Sequence, residues 1–317
     1  MTFGGGGRKY RRAVRRICRE AEAFGLFDGI TGYTDESLRR DFPDFCKEHG
    51  AFIKANRRGY GCWLWKPFLI LRHLQTMREG DILLFVDAGC ELNPYGRQRL
   101  AEYLDLCAEH SILTFHLLPQ SRFPVKHWTK MDTILRLDPD LQMVERPQHE
   151  SGVILLKKTS ATVNMAEEWF AVCAENNYHY LDDSESAAPN DRNFCEHRHD
   201  QAILTLLLVK HGLEFCLSGE RYFEPGRWHI DGAQYPVWTS RHKSGFTSPR
   251  MMRLRVAKTD GYLCKALLCC GWVLSQFSMQ VIKVRVMRVG RFLLRMRAIK
   301  TMGLRGILGR LGLRRWR

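Results

Sequence analysis

The chain has 317 residues, of which 45% are hydrophobic and 26% charged, a length and content that bury a full core and suit one large domain with an appendage. Its net charge of +15 is confined to one segment: residues 1–250 hold 33 Lys and Arg against 33 Asp and Glu, whereas residues 251–317 hold 16 against the single acid Asp260. A basic surface spread over the whole molecule is thereby excluded, and the 11 cysteines, none in a CxxC pair, exclude a zinc ribbon, a redox motif and a secreted disulfide framework.

In chain order, residues 1–3 read as a short strand running into the turn at residues 4–7. A helix over about 9–24 follows, with Tyr10, Val14, Ile17, Ala21 and Phe24 on one face. Residues 26–33 are the next strand candidate. A second helix opens at Pro67, where the missing N–H costs nothing, and carries Phe68, Leu71, Leu74 and Met77 inward. It stops at Gly80-Asp81, and the apolar run Ile82-Leu83-Leu84-Phe85-Val86 predicts a strand covered on both faces, ending at Asp87-Ala88-Gly89. Further strands are expected at 112–115, 153–156 and 214–217, further helices at 166–175 and 201–210, and a loop at 182–193. This alternation predicts an α/β fold with a mostly parallel central sheet. The N-terminus lacks the charged and apolar regions of a signal peptide, so a reducing cytoplasm is expected.

Ligands of open α/β sheets bind beyond the carboxyl ends of the strands, which places Asp87 at the expected site. The helix starting at Pro67 presents unpaired N–H groups there, just after Lys66, and Arg57 and Arg58 add positive charge suited to a diphosphate. Gly59 and Gly61 permit close backbone approach, while Tyr60, Trp63 and Trp65 offer flat faces to a base or sugar. The plainer alternatives are tryptophans packed in the core, a solvated Arg57-Arg58 turn, and Asp87 as a helix cap. The glycines at 4–7 lack the following Gly-Lys-Ser/Thr of a phosphate loop, though as a turn they could line a nucleotide pocket.

Arg58-Gly59-Tyr60-Gly61-x-Trp63-x-Trp65-Lys66-Pro67, followed by Gly80-Asp81-x-Leu83-x-Phe85-x-Asp87-Ala88-Gly89-Cys90-Glu91, resembles a family of bacterial glycosyltransferases of capsule, lipopolysaccharide and exopolysaccharide assembly. Trp128-Thr129-Lys130-x-Asp132 and His197-Arg198-His199-Asp200-Gln201 fit the same family, and the likeness extends to about Lys243. It implies a GT-A, Rossmann-like domain over 1–250 that takes a nucleotide-sugar donor and a glycan or lipid-linked acceptor. Such enzymes usually end this strand in Asp-x-Asp, which holds Mn2+ or Mg2+ on the diphosphate. Here Asp87 is the one metal candidate, since Gly89 takes the second position, with Glu91 a possible substitute. Cationic side chains can replace the ion, because a leaving diphosphate needs positive charge where its own charge develops.

The resemblance further implies that Asp200-Gln201 lies near the sugar, although Asp200 as a simple N-cap is an alternative. Glu150, before the strand at 153–156, is a candidate base for the acceptor hydroxyl, and His242-Lys243 could close over the diphosphate. His197 and His199 have the spacing of two metal ligands on a strand, without an evident third. The catalytic set is therefore Asp87, Asp200 and Glu150. The donor-binding set is Arg58, Tyr60, Gly61, Trp63, Trp65, Lys66 and Gln201.

The segment 251–317 lies outside the likeness. Its uncharged stretch, 266–282, is short for a membrane span and interrupted by polar residues. Beyond it, basic residues interleave with apolar ones at helical spacing, as in Arg288, Arg291 and Arg295. That pattern predicts a basic amphipathic helical tail lying on an anionic membrane surface, with the enzyme peripheral to the inner face of the membrane. Nucleic acid is not the expected partner, because the tail has few aromatics and the other 250 residues are neutral.

Overall fold

The structure, a computed structural model, describes residues 1–224 and 226–259. Strand β1 (Thr2–Gly4) leads into helix α1 (Arg8–Glu22), then β2 (Gly32–Thr34), α2 (Asp35–Asp41), α3 (Pro43–Ala55), a short turn α4 (Gly59–Cys62) and α5 (Trp65–Thr76). Strands β3 (Ile82–Val86) and β4 (Glu91–Leu92) precede α6 (Arg97–His110), β5 (Ile112–Phe115), α7 (Val125–Trp128) and α8 (Met131–Leu137). The rest is β6 (Val153–Lys157), α9 (Ser160–Tyr178), α10 (His199–Lys210), β7 (Cys216–Leu217), β8 (Val237–Trp238) and α11 (Pro249–Ala257).

Local chemistry accounts for several boundaries. Thr34 caps α2 and Thr159 caps α9, each through a reciprocal bond with the residue three positions on. Helix α5 starts at Trp65, two residues before the expected Pro67. Proline fits because it still falls in the first turn, where no N–H partner is available. The strand expected at 26–33 shrinks to β2 at its far end.

The central sheet is mixed, which corrects the expectation of a mostly parallel one. Its order is β3-β6-β5-β7, with β6 antiparallel to both neighbours and β7 parallel to β5. Strand β1 pairs in parallel with β2, and Met1 exchanges two backbone hydrogen bonds with β3, at Leu84 and Val86. An unbroken apolar run reports that both faces are covered but carries no information on strand direction. Alternate residues of β3 enter opposite layers. Leu83 and Phe85 pack with Ile154, Leu156 and residues of α5, α9 and α10, whereas Leu84 and Val86 pack with Val153, Leu155 and residues of α1 and α6. Each fully buried Leu or Phe contributes about 1.5–3 kcal/mol, so the two layers clamp β3 and fix where its last residue projects.

The chain divides into two units, Met1–Leu254 and Arg255–Arg317. Met251 and Leu254 of α11 pack in a cluster with Trp228 and Trp238. Among the described residues no helix is long and apolar enough to cross a membrane. The amphipathic tail expected beyond residue 259 lies outside the described residues.

Candidate active site

Strand β3 delivers Asp87 at its carboxyl end, and the Asp87 N–H donates to the Gly152 carbonyl (2.8 Å), pinning the turn to the residue just before β6. Behind it stands Lys66 in the first turn of α5. Its Nζ lies 2.9 Å from Asp200 Oδ2 and 3.8 Å from Asp87 Oδ1, and donates to Ser151 Oγ at 2.9 Å. Asp200 sits in the first turn of α10, whose capping position is Arg198, so its side chain serves Lys66 and not the helix end. Three segments distant in sequence therefore converge on one ammonium.

Exposure separates their roles. The side chains of Lys66 and Asp200 are 2% and 3% exposed, whereas Asp87 is 37% exposed. Asp87 is thus the member of the trio open to a ligand. Burial works against the charge of Lys66, but Asp200 and Asp87 outweigh it and hold the amine above its ordinary value. Desolvation pushes the Asp87 carboxyl above the usual carboxylate range, with Lys66 opposing and Asp200 adding to the rise.

Several expected assignments are corrected here. Lys66 does not hold phosphate, because its donors are buried and already committed to Asp200 and Ser151. Trp65 is a core residue, stacked on Phe3 with ring centroids 4.1 Å apart and donating its indole N–H to the Gly59 carbonyl. Gly61 is also buried, and its role is steric: a Cβ there would meet Ile53 Cγ1 at 2.7 Å. Residues 59 to 63 all have positive φ, between 48° and 83°, a left-handed run that costs non-glycine residues about 1–2 kcal/mol each. Gly59 and Gly61 relieve two of the five. The run turns the chain between α3 and α5 and leaves Tyr60 and Trp63 half-buried, Tyr60 beside Gly6 and Trp63 beside the His199 ring. The glycine turn after β1 therefore does border this segment.

Further positive charge lies on arginines in the segments around residues 58 and 198. Arg198, following the polar loop, stacks on Trp128 at 4.3 Å, and Arg58 pairs with Glu196 at 2.9 Å. Burial lowers the Arg198 pKa, Glu196 opposes that, and Arg241 and Arg58 each lower it further. Arg241 is exposed and its backbone would lie 3.7 Å from a Cβ on Gly89, so residue 241 borders the Asp87 turn. The His242 N–H donates to the Gly89 carbonyl, and Lys243 lies over the Tyr10 ring. Sequence reasoning passed over Arg198, although it lies inside the quoted His197–Gln201 motif, and nothing local marked Arg241.

The remaining candidates divide. Gln201 follows Asp200 and has a buried side-chain amide without a hydrogen-bond partner. Glu150 is engaged by Arg221, which packs on the Phe115 ring, so as a base it must first release that partner. Glu91 is fully buried and bound by Ser240, Ser248 and Arg250, which removes it as a second metal ligand. The donor set does not fit a divalent ion held by the protein, since it offers one half-open carboxylate with an ammonium 3.8 Å away. His197 is satisfied on both nitrogens, by the Lys130 N–H and the Tyr180 carbonyl, so it does not pair with His199 as a ligand. A separate cleft of about 510 Å3, lined in part by Met1, Ile17, Phe27, His73 and Leu104, contains none of the trio.

No protein-family model matches the chain, and no curated protein does. Among solved structures it is similar to mouse xyloside xylosyltransferase 1 in its apo form, with a TM-score of 0.39 and 12% identity over 75% of this chain and 95% of that one. It is also similar to a glycosyltransferase involved in the glycosylation of the major capsid of PBCV-1, with a TM-score of 0.41 and 13% identity over 80% of this chain and 97% of that one.

Proposed function

We propose that this chain is a glycosyltransferase that moves a sugar from a nucleoside diphosphate donor to a glycan or lipid-linked glycan acceptor in surface polysaccharide synthesis. The observation that carries the reading is Asp87, half-open at the end of a strand buried on both faces and backed by Lys66 and Asp200, with the Arg241 backbone beside Gly89 of the same turn. Asp87 accepts hydrogen bonds from the donor sugar, and Lys66 and Asp200 hold it in position. Arg58, Arg198 and Arg241 supply positive charge where the leaving diphosphate gathers negative charge, the role a divalent ion fills in enzymes with two aspartates. Tyr60, Trp63 and the Gln201 amide shape the donor pocket. The sequence motifs around Arg58–Pro67 and Asp87–Glu91 support the same reading.

The test is release of nucleoside diphosphate by purified full-length protein from a panel of nucleotide sugars. Turnover with one donor, lowered about 10²–10³-fold in Asp87→Asn, is expected. A second reading, a non-catalytic scaffold, is favoured by glycine in place of the second aspartate. It predicts nucleotide-sugar binding without release from any donor. We also propose that the tail holds the protein on the cytoplasmic face of a membrane, since each Lys or Arg near an anionic surface contributes about 1 kcal/mol. Truncation after residue 259, which spares α11, should abolish binding to phosphatidylserine vesicles; retained binding defeats this part of the proposal.

A further inference from the structure

We propose that His116, His149 and Cys216, with Glu214 as the fourth ligand, form a zinc site at the β5–β6–β7 side of the sheet, away from the Asp87 trio in role and independent of the transferase reading. Three chain segments bring these residues together. His116 directly follows β5 and bridges His149, which approaches β6, while Cys216 lies in β7 opposite Thr114 of β5. The ligand atoms of His116, His149 and Cys216 lie within 4.8 Å of one another, and Cys216 Sγ is 3.2 Å from the His116 ring nitrogens. Glu214 Oε1 stands 3.7 Å from His149 Nε2. Two imidazoles, a thiol and a carboxylate are a donor set for tetrahedral zinc.

The second observation concerns His149. Its side chain is 1% exposed and its Nε2 has no hydrogen-bond partner, an arrangement that costs stability unless something accepts that lone pair. Its other nitrogen meets a hydroxyl that can hold either tautomer. The Thr114 hydroxyl lies 2.7 Å from His149 Nδ1 and 3.3 Å from the Phe215 carbonyl; in the tautomer that donates Nδ1–H to Thr114, the Nε2 lone pair faces the cluster. A ring N–H held by an outer acceptor while the opposite nitrogen points at the ion is the usual setting of a zinc-bound histidine. Zinc ligation replaces the S–H bond of Cys216 with a Zn–S bond and releases the proton to solvent. A bound ion would tie β7 to β5 and β6, and so steady Arg221, which donates to the His116 carbonyl and holds Glu150.

The experiment uses the full chain, freed of metal by dialysis against a chelator and then titrated with Zn2+ in competition with a chromophoric chelator. One molar equivalent is expected. Co2+ in its place should give tetrahedral d–d bands and a thiolate-to-cobalt charge-transfer band in the unmutated protein, a readout that needs no variant to fold. Cys216→Ser should remove that band, and Thr114→Val, which keeps every ligand, should weaken zinc binding about 10–100-fold. Cys62→Ser, in the separate Cys62, Asp183 and His199 group, should change neither. Absence of stoichiometric zinc in the folded wild type, a cobalt spectrum without the thiolate band, or loss on Cys62→Ser with Cys216→Ser unaffected would each overturn the proposal.

Discussion

Two lysines of this molecule are buried to the same degree and do different things. Lys66 and Lys130 both have side chains 2% exposed, and both lie in segments that stand out in the sequence. The Lys130 ammonium is surrounded by Asp182 and Ser184, through two backbone carbonyls, a hydroxyl and one carboxylate, all on the loop after α9. Two positions on, Asp132 accepts from the Ala187 and Ala188 N–H groups and faces His179, which drives its carboxyl well below the usual range. That segment fastens a loop. Lys66 instead faces two carboxylates, one of which opens to solvent. Burial alone does not distinguish the two lysines; the exposure of the partner carboxylate, 37% for Asp87 against 21% for Asp182, does.

Substitutions at the two sites should widen this contrast. Lys66→Met should have the largest effect, removing turnover and also destabilising the fold by about 3–5 kcal/mol, because Asp200 is left buried and unpaired; denaturant unfolding and product release measure the two losses. Asp87→Asn should lower turnover by about 10²–10³-fold while shifting the melting temperature little, since a half-open carboxyl is exchanged for a neutral isostere. Lys130→Met should do the reverse. A loss of about 1–3 kcal/mol, discounted because Asp182 is partly exposed, should leave turnover of the folded fraction nearly intact. Equal loss of activity in Lys66→Met and Lys130→Met at matched folded fraction would erase the distinction.

Two milder perturbations sharpen it. The Asp87 carboxyl sits above the usual range, so activity should fall on the acid side at a higher pH than an ordinary aspartate would give. The stability linkage has the opposite sense: a raised folded pKa favours the protonated native state, so this contribution is present below the unfolded pKa and is lost as pH rises through the folded one. A pH–rate profile with an acid limb in the ordinary carboxylate range contradicts the geometry. Smallest of all, a chelator should change turnover less than about twofold, since the Asp87 turn offers one half-open carboxylate beside an ammonium and not an ion's ligand set; a large loss restored by Mn2+ would place a metal back on Asp87.

The parts of this site that could be read in the sequence are those that depend on neighbours along the chain. Five apolar residues followed by Asp87 specify a covered strand and a carboxylate at its end. The convergence of Lys66, Asp87 and Asp200 could not be read, because it depends on how α5, β3 and α10 meet in space. Trp65 and Trp63 have the same composition and opposite fates, since a left-handed run between α3 and α5 decides which indole turns inward. The glycines that looked like room for a ligand are spent on that run and on Ile53. The direction of β6 was equally hidden, because its residues are as apolar as those of β3.

Arg16 has a consequence for how the protein is made. Its guanidinium donates to the carbonyls of Ala88 and Cys90, which flank the Asp87 turn, and to those of His242 and Ser244, while Glu20 takes its charge. A nascent chain that has not yet released residues 240–248 from the ribosome leaves Arg16 half-coordinated and Glu91 without its serines. The acidic turn can therefore settle only after most of the polypeptide has emerged, so early fragments would lack an ordered Asp87 turn even if their sheet had already formed.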